Sequence, residues 1–95
     1  MSKISANGSD FMQLRSFEQM AKRLDFWKAS RDLGMSRGSL SRYITILENR
    51  TGKKLLEKKC GSIHLTEDGQ ILLRKIQSSI LNIEEVIQEM NELKE

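Results

Sequence analysis

The chain has 95 residues, 38% hydrophobic and 31% charged, with a net charge of +3, one cysteine and no proline. That is enough for one small globular domain and too little for two. A single cysteine excludes an internal disulfide or a cysteine-built metal centre, and no apolar run is long enough to span a membrane. The opening MSKISANGSD lacks the apolar stretch of a signal peptide, so a cytoplasmic protein is expected.

Charge is unevenly distributed. Residues 22–75 hold 13 Lys/Arg against 6 Asp/Glu, a net +7, whereas residues 76–95 hold one lysine against five glutamates, a net −4. A basic middle points to a polyanionic partner, the alternative being a solvated surface of mixed sign.

In chain order, residues 1–13 are set apart as a polar tail. Leu14, Phe17, Met20, Ala21 and Leu24 recur at helical spacing and predict a first helix, from Phe11 to Leu24, with one buried face. Asp25 is a suitable N-cap for a short second helix, Phe26 to Leu33, and Gly34 stands where such a helix stops. Ser36 caps a third helix that runs to about Thr51 and is closed by Gly52. Two helices joined by Gly34-Met35-Ser36 predict a helix-turn-helix, although a plain helical hairpin has the same spacing.

The start of the third helix is unusual. SRGSLSR, residues 36–42, puts Arg37 and Arg42 among short hydroxyls. A helix N-terminus already carries positive partial charge and favours acids. Cations there imply that something negative comes from outside.

KKLLEKKCGSIHLT, residues 53–66, predicts a two-stranded hairpin with Cys60-Gly61-Ser62 as its turn and Lys58 and Lys59 near the tip. Thr66 then caps a long last helix with Glu67 and Asp68 in its first turn. Leu73, Ile76, Ile80, Ile83, Ile87 and Met90 alternate in spacings of three and four, which is a heptad seam. A domain this small cannot cover a helix of ~40 Å, at 1.5 Å per residue, so the seam is expected to meet a second chain. A fold-back onto the first helix is the alternative.

This order of elements is a winged helix-turn-helix. LRSFEQMAKRL, then Ala29, Leu33, Ser36, LSRYITILE, Gly52, LLEK and LTEDG resemble the N-terminal domain of the LysR-type transcriptional regulators over residues 14–73 without a gap. The DNA-binding domain of the molybdate-responsive regulators is also similar. The resemblance implies a mainly α fold, three helices plus a two-stranded wing over residues 14–66, followed by a dimerising linker helix over residues 67–95. It implies a bacterial, nucleoid-associated regulator that binds double-stranded DNA as a homodimer, with a tetramer left open. An alternative is a short interaction form that makes mixed dimers with a full-length relative and blocks it.

Carried over, the third helix lies in the major groove. Ser36, Arg37, Gly38, Ser39, Ser41 and Arg42 then form the DNA face, with Arg37 and Ser39 assigned to bases and Ser41 and Arg42 to phosphates. Lys58 stands at the family's wing arginine, and Lys59 adds a second charge to the adjacent backbone or minor groove.

The sequence departs from the pattern at Gly38, where proline is common, at Leu56, usually phenylalanine, and at Ser30, usually alanine. Trp27 stands where a small polar residue is common; it is expected to pack, for instance on the linker helix, with flanking a phosphate as the alternative. No effector-sensing domain is present within these residues. One histidine, His64, and one cysteine, Cys60, are too few for a metal site. No cofactor is expected, and no catalytic constellation supports an enzyme.

Overall fold

The computed structural model describes residues 9–93, with all their side chains except those of Ser9 and Ile80. Four helices and one hairpin follow in the order α1 (Ser9–Arg23), α2 (Phe26–Leu33), α3 (Arg37–Thr51), β1 (Leu56–Lys59), β2 (Ser62–Leu65) and α4 (Glu67–Glu92). This is the expected winged helix-turn-helix with its long last helix.

The short-range signals work as the residue types require. Asp25 accepts the backbone N–H of Lys28 at 2.9 Å and starts α2. Gly34 ends it in the left-handed region, at φ 69°, with its N–H on Arg31 O. Ser36 Oγ accepts the N–H of Ser39 at 3.0 Å and starts α3 only three residues after α2 ends. Between α1 and α2 the chain turns still faster. Leu24 takes φ 52°, unusual for a branched side chain, with its N–H on Met20 O at 2.7 Å.

Helix α1 begins at Ser9, two residues before the expected Phe11, and so takes in the end of the polar tail. The cause is tertiary. Arg50, near the end of α3, donates to Asp10 and, at 3.0 Å, to Gln13 Oε1, which ties the first turn of α1 down. Residues 1–8 of the expected tail, like 94 and 95 of the expected linker segment, lie outside the described residues.

Two clusters make the core. Phe17 and Ala21 of α1 meet Leu47 of α3, Leu55 before the wing and Ile76 of α4. Met20 of α1, Ala29 of α2 and Leu40 and Ile44 of α3 form the second, which Phe26, Leu33, Met35 and Ile63 cover. Phe17, Met20, Leu40 and Leu55 are the largest fully buried apolar side chains; each contributes about 1.5–3 kcal/mol by leaving water. Leu56 packs against both clusters, so the base of the wing is part of the core.

The hairpin is antiparallel, with Leu56 opposite Leu65 and Lys59 opposite Ser62. Its two-residue turn puts Cys60 at φ 50° and Gly61 at φ 79°, the paired positive values of a type I′ turn. Thr66 closes the base: its hydroxyl donates to Lys54 O at 2.6 Å and accepts Gly69 N–H at 3.0 Å. Gly69 is required by that closure, because a Cβ there would lie 2.3 Å from Leu55 O.

Candidate nucleic-acid interface

The start of α3, the start of α2 and the wing converge on one side of the domain. Ser36, Arg37, Gly38, Ser39, Ser41 and Arg42 are all exposed, as are Lys58 and Lys59. Their roles differ in detail. Ser36 caps the helix, and its hydroxyl also donates to Ser39 Oγ at 3.1 Å, so these two hydroxyls hold the helix start as well as facing outward. The side chains of Ser41 and Arg42 make no hydrogen bond or ion pair among the described residues. They are available to an outside ligand.

The first turn of α3 contains no acidic residue, whereas that of α4 has Glu67 and Asp68. Within one molecule, then, one helix start is neutralised and the other is left positive. Free backbone donors, the helix dipole and two arginines there make a site for an anion.

The two wing lysines separate. Side chains alternate along a strand, so neighbouring Lys58 and Lys59 face opposite ways. Lys58 turns toward the helices and lines the depressions that lie between wing and α3 and between wing and α2. Lys59 faces away and pairs with Glu57 at 3.8 Å.

Trp27 corrects an expectation. It does not pack into the fold but is 63% exposed at the start of α2. The Arg37 guanidinium lies over its ring, 4.9 Å from the centroid. Sequence reasoning therefore missed a link across the helix-turn-helix, since residues ten apart in two helices carry no spacing signal.

Behind this face, Glu48 of α3 binds the wing. Its carboxylate accepts Leu55 N–H at 2.9 Å and Leu56 N–H at 3.3 Å, and Lys54 lies 3.6 Å away. Wing and α3 are thereby held in fixed relation.

A family model described as "Bacterial regulatory helix-turn-helix protein, lysR family" matches residues 11–70. The chain belongs to that family. The regulator BlaA of Proteus vulgaris is 33% identical over 76 residues, 80% of this chain and 26% of the relative. A probable RuBisCO transcriptional regulator of Thalassiosira pseudonana is 37% identical over 83 residues, covering 87% and 27%. The chain thus spans about a quarter of the length of these relatives. Among solved structures, Vibrio fischeri DarR in complex with DNA superposes with a TM-score of 0.76 at 25% identity, over 97% of this chain and 30% of that one.

The seam of the last helix divides in two. Ile76 is buried against α1 and α3, and Leu73 packs beside it. Ile83, Ile87 and Met90 are 59%, 57% and 61% exposed, and Leu81 and Val86 add to the apolar surface. The side chain of Ile80 lies outside the described ones. The alternative of a fold-back onto α1 holds only for the first turns of α4. Among the described residues no group of three metal-binding side chains exists, and no helix is long and apolar enough to cross a membrane.

Proposed function

We propose that the chain binds double-stranded DNA sequence-specifically as a homodimeric transcriptional regulator, with α3 in the major groove and the wing on the adjacent backbone or minor groove. The observation that carries this reading is that Arg37 and Lys58 line one depression between α2, α3 and the wing, with Arg42 exposed on the same helix, none of the three in an ion pair among the described residues, at an α3 start that has no acid. Arg37 and Ser39 read base edges; Ser41, Arg42 and Lys58 hold phosphates, with Lys59 at the rim. DNA as partner places the protein in the bacterial cytoplasm, on the nucleoid. DarR, a relative in fold, was solved on DNA, which supports the same partner here.

Homodimerisation rests on α4. Its second half offers a second chain Ile83, Ile87 and Met90 along one seam, whereas Leu73 and Ile76, expected in the same seam, are taken up by the domain's own core. The exposed Phe11 on α1 faces the same groove as Ile83 and widens that surface. The same stripe also supports the second reading, mixed dimers with a full-length relative, which co-expression and co-purification detect. Sedimentation equilibrium distinguishes monomer, dimer and tetramer.

The test is fluorescence anisotropy with two labelled duplexes at physiological salt: the DNA upstream of the chain's own gene and a shuffled duplex of equal composition. Specific readout predicts a preference of about 10³-fold or more for the first duplex if it contains the site. Arg42→Ala should weaken binding to both duplexes and reduce the salt slope by about 1. Unchanged affinity of Arg42→Ala for the preferred duplex rules that residue out.

A further inference from the structure

The pair Trp27–Arg37 is the least expected feature of this face. A tryptophan left 63% exposed keeps a large apolar ring in water, and it is the single tryptophan of the chain. Arg37 sits at the first position of α3, where the helix dipole opposes a cation, and it has no carboxylate partner among the described residues. Its neighbour is the indole face, whose centroid is 4.9 Å away. The two stand on one side of a depression whose other side is the wing, at Lys58, Gly61 and Ser62.

We infer that Trp27 is a positioning residue for base readout. Its ring holds the Arg37 guanidinium by cation–π stacking, and it thereby sets which base pair Arg37 reads. An arginine on a solvated helix end samples many rotamers, and each must be given up when a guanine edge is bound. Stacking on a flat ring removes most of that freedom beforehand and leaves the in-plane N–H donors unused. Those donors are the ones that meet guanine O6 and N7 side by side. Trp27 stands on α2 and beside the wing, so the stacking ties Arg37 to an element other than its own helix. This inference rests on the DNA-binding reading above and adds to it a determinant of specificity.

The experiment begins with the full chain and a random-sequence duplex pool, enriched for bound sites over several rounds. If no site is enriched, the DNA reading of this face fails, and the inference falls with it before any variant is made. With a site in hand, affinities for it and for a shuffled duplex are measured for wild type, Trp27→Leu, Trp27→Phe, Arg37→Ala and the double variant Trp27→Leu/Arg37→Ala. Thermal melts check that the exposed substitutions leave the fold intact.

The expected result is a loss of about tenfold for the enriched site on Trp27→Leu, little loss for the shuffled duplex, and recovery of most of the affinity in Trp27→Phe, which keeps a ring face. The double variant should bind no worse than Arg37→Ala, because the ring acts only through the guanidinium. Repeating the enrichment with Trp27→Leu should relax the preference at one base pair, the same one that Arg37→Ala relaxes. Wild-type indole fluorescence should also change on binding the enriched site. Additive losses, equal losses on both duplexes, phenylalanine no better than leucine, or an unchanged base preference would each overturn the inference.

Discussion

Glu48 Oε2 accepts the backbone N–H of Leu55 at 2.9 Å. Leu55 is buried, so its N–H has no access to water and depends on that carboxylate. The second N–H held by the same oxygen, that of Leu56, begins the wing. Glu48→Ala leaves both donors without their acceptor and should cost about 1–3 kcal/mol, read as a lower urea midpoint. Glu48→Gln keeps a carbonyl oxygen and should lose less. Equal stability of the alanine variant and wild type would show that the contact contributes nothing.

Two glycines should respond in opposite ways to alanine. At Gly69 the new Cβ would meet Leu55 O at 2.3 Å, and backbone cannot swing aside as a side chain does. Gly69→Ala should destabilise by about 1–3 kcal/mol or more. At Gly38 the nearest atom is Ser36 Oγ at 3.9 Å, and the helical backbone suits alanine. Gly38→Ala should stabilise by about 0.4–1 kcal/mol, chiefly by restricting the unfolded chain. Thermal melts of the two variants should therefore move in opposite directions.

Ser16 is fully buried on α1, and its hydroxyl has no hydrogen-bond partner among the described residues. Ser16→Ala removes a polar group that lost its water on folding, and alanine is the better helix former. A gain of about 1 kcal/mol is expected. A drop in melting temperature would mean that the hydroxyl is satisfied after all.

Arg23 Nε donates to Asp32 at 2.6 Å, and Gln19 donates to the same oxygen at 2.8 Å, which ties α1 to α2. The hydrogen bond from Arg23 holds the Asp32 carboxyl below the ordinary carboxylate range, and Asp32 in turn raises Arg23. Because the folded value of Asp32 is the lower one, its contribution is complete above the ordinary carboxylate range. It is lost as pH falls through the folded value. The difference in urea midpoint between wild type and Asp32→Asn should therefore be flat near neutrality and shrink in acid. A difference that grows in acid would contradict the pairing.

The second half of α4 gives the clearest test of assembly. Ile83→Asp together with Ile87→Asp puts charge on a face that is open in the single chain, so the domain itself should melt as wild type does. In sedimentation the variant should run as a monomer where wild type associates. Unchanged association would place the interface elsewhere.

Much of the architecture is legible from residue order because it is decided within a few residues. Asp25, Gly34, Ser36, Gly52 and Thr66 act on their own neighbours, and they bound α2, α3 and α4 as their types require. The apolar period of α1 and the strand alternation of the wing are equally local. The eight residues named for DNA are exposed in the folded chain, as helix and strand periodicity would have them.

Long-range contact decides the rest. The start of α1 at Ser9 depends on Arg50, some 40 positions on, reaching Asp10 and Gln13. The placement of Trp27 over solvent depends on α2 and α3 crossing so that Arg37 meets its ring. Glu48 and Gly69 stand in the sequence as parts of motifs, but their reasons are the N–H groups of Leu55 and Leu56 and the carbonyl of Leu55. Local signals specify backbone conformation, which a few neighbouring atoms determine. Which side chain meets which backbone atom across the domain follows only from how the elements pack, and no spacing in the sequence encodes that.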